Sequence, residues 1–198
     1  MFQKITSIFL ALSLLLAVYF FVTKSKKNKL TPLTIANETV SFNFTNQEGK
    51  SIDKSFLKGK VWLASFILTG CKGPCPLITR KMAAINEEFK TFKNLGLLSF
   101  SVDPINDSPL KLFNYIKENK LNLYNKWHFL SGNYELTKKL IRKTFFLPFT
   151  DNPQLHTTKL ILFTSDFKVY GYYDSLEAKE TKKLQTDIKK LLRQNALS

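Results

Sequence analysis

The run Val61-Trp-Leu-Ala-Ser-Phe-Ile67 leads directly into Thr69-Gly-Cys-Lys-Gly-Pro-Cys-Pro76, and the rest of the chain is interpreted around these two segments. The first is almost entirely apolar, as in a strand that is covered on both faces. The residues after the second, Leu77 to Phe92, carry one apolar stripe at helical spacing: Ile78, Met82, Ile85 and Phe89. A buried strand, a loop and a helix in this order predict an α/β fold. The loop then lies at the carboxyl end of a strand, where open α/β sheets bind ligands.

Further strands and helices alternate along the chain. Val40–Asn46 alternates apolar and polar residues and is followed by a turn at residues 47–50, which predicts a hairpin. Leu95–Val102 is a second buried strand, and a helix begins after it with Ser108 as N-cap and Pro109 in the first turn. Later strands are predicted at Trp127–Leu130, Lys159–Thr164 and Val169–Tyr173, and later helices at Tyr134–Thr144 and Ser175–Arg193. The pattern indicates a mixed sheet flanked by helices, with an N-terminal β-hairpin.

The chain has only two cysteines, Cys71 and Cys75, and both lie in the loop after the first buried strand. One pair is too few for a disulfide framework, so we interpret it as a site. The start of the following helix offers free N–H groups and a positive dipole end, which favour thiolate over thiol. Lys72 adds a positive charge between the sulfurs. Two cysteines used only as small core residues are the alternative, which the glycines and prolines of this loop disfavour.

The spacing of the pair leaves metal binding and redox chemistry open. Thiol–disulfide exchange usually employs Cys-x-x-Cys, whereas Cys71 and Cys75 have one more residue between them. Two soft thiolates suit Cu(I) or zinc. A third ligand would have to come from one of two histidines. His128 lies inside a predicted strand, where a packing role is expected, while His156 lies in a loop just before the strand Lys159–Thr164 and could swing towards the cysteines.

The N-terminal region predicts a membrane anchor. From Ile5 to Val22 the chain is uncharged for about 18 residues, the short end of what spans a bilayer. The bulky residues 19–22 offer no signal-peptide cleavage site. We therefore expect an uncleaved anchor at residues 1–23, a tether at 24–37 and one domain at 38–198. Four lysines between residues 24 and 29 would favour a cytoplasmic domain, because positively charged flanks of a membrane span usually stay in the cytoplasm. This positive-inside rule is weak for long domains.

The charge balance is strongly basic. The formal net charge is +15 at pH 7, from 30 Lys and Arg against 15 Asp and Glu. Such an excess predicts attraction to acidic lipid head groups or an acidic protein surface. The lysines are scattered and no nucleic-acid recognition motif is present, so we expect no nucleic-acid partner.

Several motifs in consistent order resemble the SCO/SenC family of copper chaperones. The resemblance extends from about Asn37 to Leu192 and is much more specific than the cysteine pair alone. The motifs are Thr69-Gly-Cys-Lys-Gly-Pro-Cys-Pro76, Ser101-Val-Asp-Pro104 with Asp107-Ser-Pro109, Trp127-His-Phe-Leu-Ser-Gly132, and a lone His156 before a strand hairpin.

The resemblance implies a thioredoxin-like fold behind one anchoring helix. It implies that Cys71, Cys75 and His156 hold a copper ion. The family delivers copper to the binuclear copper site of cytochrome c oxidase or keeps the cysteines of that site reduced. The implied partner is the copper-bearing subunit of that oxidase or another copper carrier. The implied location is the inner membrane, as a single-pass protein with its domain in the periplasm or an equivalent extracytoplasmic space.

Three positions depart from the family pattern. Lys72 and Gly73 stand where the family usually has proline and an acidic residue, and Leu155 stands where aspartate commonly precedes the histidine. The site thereby loses two carboxylates and gains a cation. We expect this change to depress the pKa of the thiols and to penalise Cu(II) more than Cu(I).

Three functions therefore compete. The leading hypothesis is a copper-binding assembly factor that is not a turnover enzyme. The second is a membrane-tethered thiol–disulfide oxidoreductase, with Cys71 as attacking thiolate and Cys75 as resolving thiol. The third is a peroxidase relative, which needs an activating arginine near the cysteine, and Arg80 is the only nearby candidate. His156 separates the first two hypotheses, because disulfide exchange does not require it.

Overall fold

The computed structural model describes residue 16 and residues 30–35, 41–71 and 73–195. The chain divides into two compact units, residues 1–31 and 32–198, and the second contains the folded domain. The predicted anchor, except residue 16, and most of the predicted tether lie outside the described residues. Within the part of the chain that the structure describes, no helix has the length and apolar character that a membrane span requires.

An eight-stranded sheet forms the centre of the domain. Its strands, in chain order, are β1 (Thr34–Ile35), β2 (Asn43–Asn46), β3 (Ser51–Asp53), β4 (Val61–Ile67), β5 (Leu95–Ser101), β6 (Trp127–Ser131), β7 (Lys159–Thr164) and β8 (Lys168–Asp174). They are arranged in space as β1-β8-β7-β4-β5-β6-β2-β3. The pairs β4–β5 and β5–β6 are parallel, and every other pair is antiparallel. The carboxyl ends of β4, β5 and β6 therefore meet at one edge.

Within residues 41–195, apart from the undescribed residue 72, four α-helices accompany the sheet: α1 (Cys75–Glu88), α2 (Pro109–Glu118), α3 (Tyr134–Lys139) and α4 (Ala178–Asn195). Shorter helical segments are a 3₁₀ helix at Lys54–Leu57, a π-helical turn at Leu140–Thr144 and a 3₁₀ helix at Pro153–Leu155. As predicted, α2 begins behind an N-cap at Ser108, whose side chain accepts a hydrogen bond from the Lys111 N–H, with Pro109 as its first residue.

Strand β4 is buried along its whole length. It pairs with β5 over seven positions, from Val61 opposite Leu95 to Ile67 opposite Ser101. The polar side chains of this centre are satisfied, because the Ser65 and Ser99 hydroxyls hydrogen-bond at 2.8 Å. The central strands therefore form a fully buried base for the loop that follows β4.

Phenylalanines dominate one face of the sheet. Their rings form a continuous set of contacts. The ring centroids of Phe44 and Phe100 are 5.1 Å apart, for example, and those of Phe145 and Phe163 are also 5.1 Å apart. Both cysteines belong to this same buried cluster. On the opposite face, the Trp127 indole N–H donates to Ser99 and the Tyr115 ring of α2 contacts Phe129. The site loop is thus held between two packed layers.

The structure confirms the predicted mixed sheet with flanking helices and an N-terminal hairpin, here β2–β3. Two local features differ from the prediction. The segment predicted as a helix at Tyr134–Thr144 is an α-helix only to Lys139 and continues as the π-helical turn. The predicted tether contains the short strand β1, which pairs with β8. Two residues are too few for strand periodicity to be detected.

We predict that Gly96→Ala destabilises the fold by about 1–3 kcal/mol through overpacking. A Cβ atom at Gly96 would lie within 2.6 Å of three ring atoms of Trp62. That ring cannot move aside easily, because it is fully buried and its N–H donates to the Leu57 carbonyl. Urea unfolding followed by fluorescence measures the change. Gly70→Ala is the control, since its Cβ meets nothing within 4 Å; equal stability of the two variants would contradict the prediction.

Candidate metal centre

The two cysteines occupy different structural positions. Cys71 lies in the loop after β4, where its N–H donates to the Leu68 carbonyl at 3.1 Å. Cys75 is the first residue of α1, directly after Pro74. Both residues are buried, but Cys71 keeps 8% of its surface exposed whereas Cys75 has none exposed. Both cysteines are free thiols.

His156 joins the pair from a segment 81 positions along the chain from Cys75. It follows the 3₁₀ helix Pro153–Leu155, which Asn152 caps by accepting a hydrogen bond from the Gln154 N–H. The His156 Nε2 lies 2.9 Å from the Cys75 Sγ, and its Nδ1 lies 3.0 Å from the Thr157 carbonyl oxygen. Because a carbonyl can only accept, Nδ1 carries the ring proton when the imidazole is neutral, and Nε2 keeps its lone pair.

The three side chains converge closely enough to share one ion. Cys71, Cys75 and His156 each offer one ligand atom, and all three atoms lie within 4.8 Å of one another. With metal–ligand bonds of about 2.0–2.3 Å, three ligands spread around one ion are about 3.5–4.0 Å apart. The longest separation therefore has to shorten by about 1 Å or less on binding. Two sulfurs and an imidazole nitrogen form a donor set that suits Cu(I) or zinc.

The two thiols differ in acidity. Burial by itself would raise the pKa of Cys71, but hydrogen bonds from Cys75 and from the Gly73 N–H outweigh it, so the net pKa is lowered. The Gly73 N–H lies 3.3 Å from the Cys71 sulfur. Burial raises the pKa of Cys75 to about 12, and its hydrogen bond to Cys71 adds to the effect. The expectation that the loop activates both thiols is therefore correct for Cys71 and wrong for Cys75.

The imidazole of His156 is in the form that a metal ligand requires. Burial lowers its pKa, and the hydrogen bond to the Thr157 carbonyl opposes that effect only in part. The ring is therefore neutral at neutral pH, and metal binding needs a neutral imidazole. The bond from Nδ1 to a backbone carbonyl also orients the ring, as the outer partners of metal-bound histidines commonly do.

His128, Arg80, Lys72 and Leu155 are the other residues that the sequence singled out. His128 is in β6, where its ring packs edge-on against Phe56 at 4.9 Å, which agrees with the expected packing role. Arg80 is exposed and forms no hydrogen bond or ion pair with the described residues, so it gives the peroxidase hypothesis no support. Lys72 lies outside the described residues. Leu155 is 70% exposed beside His156.

A buried carboxylate near the cysteine loop was missed. Asp107 is completely buried and accepts hydrogen bonds from Thr69 and Ser101. All three residues occur in the motifs quoted above, but sequence spacing alone assigns them no role. A carboxylate just before a helix that starts on a capping serine is the only local signal, and it is weak because such residues are usually solvated.

Comparison with known proteins agrees with this arrangement. The SCO1/SenC family model matches residues 32–193. A SCO1 protein homolog from Bacillus subtilis is 32% identical over 158 residues, covering 77% of this chain and 81% of the relative. The structure of BsSco, a member of the Sco family of cytochrome c oxidase assembly proteins in which a disulfide switch was identified, superposes with a TM-score of 0.72. It is 30% identical and the match covers 83% of this chain and 98% of BsSco.

A more distant structure shares the fold. Copper-bound ScoI from Arabidopsis thaliana superposes with a TM-score of 0.62 at 22% identity, over 75% of this chain and 96% of ScoI. The domain is thus a thioredoxin-like protein whose cysteine loop and histidine converge at one edge of the sheet. The chain belongs to the SCO1/SenC family.

We predict that iodoacetamide alkylates Cys71 at least about tenfold faster than Cys75 in the folded, reduced protein near pH 8. The thiolate is the reactive species. Cys71 has a lowered pKa and an exposed fraction of 8%, whereas Cys75 has neither a lowered pKa nor any exposed surface. Peptide mapping by mass spectrometry over time measures both rates. In guanidinium chloride the two rates should become similar, and equal rates in the folded protein would contradict the prediction.

Proposed function

We propose that this protein is a membrane-anchored copper chaperone that binds one copper ion through Cys71, Cys75 and His156 and serves assembly of the binuclear copper site of cytochrome c oxidase. The observation that carries the proposal is the convergence of these three ligand atoms within 4.8 Å. Family membership and the copper-bound state of ScoI support the choice of copper. The description of BsSco supports the oxidase as the destination.

The donor set favours Cu(I) as cargo. Thiolate sulfur is a soft ligand, and the ordered neutral imidazole adds a third donor at no cost in charge. A carboxylate ligand would favour a more highly charged ion, but the ligand cluster among the described residues contains no carboxylate. His156 is only partly buried and Cys71 keeps a small exposed fraction, which supports the approach of an acceptor from the side of these two residues.

A second candidate function is thiol–disulfide exchange. The observation that favours it is the difference between the thiols, since Cys71 has the lowered pKa of an attacking thiolate and Cys75 the protected character of a resolving thiol. The disulfide switch identified in BsSco points in the same direction. The 2.9 Å distance between the His156 Nε2 and the Cys75 Sγ supports the first function, because disulfide exchange does not require an imidazole at this position.

The membrane anchor and the location of the domain also belong to the proposal. The uncharged run from Ile5 to Val22 supports an anchor, and the proposed delivery of copper to an oxidase supports an extracytoplasmic domain. The lysines at residues 24–29 argue for the opposite orientation. We give the chemistry more weight, because long domains are translocated largely regardless of flanking charge.

We predict that the purified, reduced protein binds one equivalent of Cu(I) and that Cys71→Ser lowers the affinity more than about 100-fold. Outer-shell partners alone are commonly worth 10–100-fold, and this variant removes a direct ligand. His156→Ala leaves both sulfurs and should weaken Cu(I) by about tenfold, with a larger loss for Cu(II), which depends more on nitrogen ligands. Competition with a chromophoric chelator measures Cu(I), and absorption spectroscopy follows Cu(II).

His128→Phe is the matched control for this experiment. It removes the other histidine of the chain, whose ring nitrogens have no hydrogen-bond partner among the described residues. Both copper affinities should be unchanged. If Cys71→Ser binds Cu(I) as tightly as the parent, the proposed copper site is wrong. If only His156→Ala behaves like the parent, His156 is not a ligand and the thiol–disulfide function gains weight.

We predict that a reporter fused after Ser198 is active on the extracytoplasmic side. Alkaline phosphatase, which needs an oxidising compartment, should be active in this fusion, and a cytoplasmic reporter at the same position should not. The reverse pattern would place the domain in the cytoplasm. The orientation would then follow the lysines at residues 24–29, and delivery to an extracytoplasmic copper site would be rejected.

A further inference from the structure

Asp107 is a charged side chain with no exposed surface and a full set of partners. Its Oδ1 accepts from the Thr69 hydroxyl, and its Oδ2 accepts from the Ser101 hydroxyl at 2.7 Å and the Thr69 N–H at 3.3 Å. The Nζ atom of Lys111 lies 3.5 Å from the Asp107 Oδ1, and the Lys111 side chain is half exposed. A buried carboxylate is costly unless it is hydrogen-bonded in this way. The contacts therefore define one preferred arrangement of the three segments that make them.

These segments are the surroundings of the cysteine loop. Thr69 follows β4, Ser101 is the last residue of β5, and Asp107 lies just before α2. Thr69 is two residues from Cys71, and the Cys71 N–H is bonded to the Leu68 carbonyl within the same turn. A displacement of Thr69 is therefore transmitted directly to Cys71.

Cys75 is connected to helix α2, the helix that begins just after Asp107. Thr79 of α1, one turn after Cys75, hydrogen-bonds to the Tyr115 hydroxyl of α2 at 2.8 Å. Both residues are buried. Helix α2 thus holds the Cys71 loop through Asp107 at its start and the Cys75 helix through Tyr115.

We propose that Asp107 is a positioning residue of the copper site, which acts through Thr69 to hold Cys71 at its distance from Cys75 and His156. Asp107 does not belong to the ligand cluster itself. It orients a ligand through the backbone, in the way that outer partners orient the ligands of metal sites. The copper part of this inference rests on the proposed function, whereas the position of Cys71 does not.

The test compares Asp107→Asn, Thr69→Val and Thr69→Ser with the parent protein. Asp107→Asn keeps the shape but replaces an accepting oxygen by a donor, and Thr69→Val removes only the hydroxyl. Each should lower Cu(I) affinity about fivefold to tenfold, which is less than the full effect of one lost hydrogen bond to a charged group because only part of that loss falls on copper binding. Each should also raise the alkylation rate of Cys71 in the metal-free protein by about the same factor. Thr69→Ser retains the hydroxyl and should stay within about twofold of the parent.

Asp187→Asn is the matched control for a general loss of stability. Asp187 is likewise a buried aspartate, and it accepts from the Tyr173 hydroxyl at 2.9 Å and pairs with Lys183 in α4. This variant should lose thermal stability while its Cys71 alkylation rate and Cu(I) affinity remain those of the parent. A structural role for Asp107 alone would make Asp107→Asn behave in the same way.

The outcomes separate the two proposals. If Thr69→Val and Asp107→Asn leave both readouts unchanged, or change them no more than Asp187→Asn does, the positioning role is rejected. If Asp107→Asn does not fold, Thr69→Val against Thr69→Ser decides alone. If the parent binds no Cu(I), the proposed function fails, but the alkylation rates still decide whether Asp107 positions Cys71.

Discussion

The complete burial of β4 is the constraint on which the site depends. This strand pairs on one side with parallel β5 and on the other with antiparallel β7, and both of its faces are covered. The register of this strand is fixed, because a slip by one residue would exchange every side chain between the two faces. The chain therefore leaves the sheet at a defined point after Ile67. The cysteine loop begins there, so its position follows from the packing of the sheet centre.

Burial also explains why the two thiols differ. The start of a helix stabilises an anion by about 0.3–1 kcal/mol, whereas the burial of an unpaired charge costs several times as much. Cys75 lies in the first turn of α1 but has no exposed surface, so burial dominates. Cys71 lies outside the helix and is not completely buried, and it receives hydrogen bonds from Gly73 and Cys75. The pair thus stabilises one negative charge rather than two when no ion is present.

Sequence patterns predicted most of the elements but little of the geometry between them. The apolar run of β4, the stripe of α1 and the Ser108-Pro109 start of α2 are local signals, and each element was found within a few residues of its predicted position. The approach of His156 to Cys75 is different. It depends on how the chain from Leu140 to Thr157 folds across the sheet edge, where a π-helical turn and a 3₁₀ helix replace regular structure. His156 could therefore be named as a candidate through family resemblance, but its 2.9 Å contact could not be derived. The contacts of Asp107 were hidden for the same reason, since Thr69 follows β4 and Ser101 is the last residue of β5.

The three proposed ligands are not held with equal rigidity, and under the proposed function this difference would help the protein to release the ion. Cys75 is built into the first turn of a 14-residue helix, and Cys71 is tied to the sheet centre through Thr69, Ser101 and Asp107. His156 is supported by a 3₁₀ helix of three residues beside the exposed Leu155. Preorganised ligands reduce the entropic cost of binding, but a site in which all ligands are rigid also releases its ion slowly. With two sulfurs held firmly and one nitrogen on a surface segment, the ion can lose its imidazole ligand first while both sulfurs still hold it. An acceptor thiolate that arrives at the side of Cys71 can then replace the nitrogen without the ion ever being free.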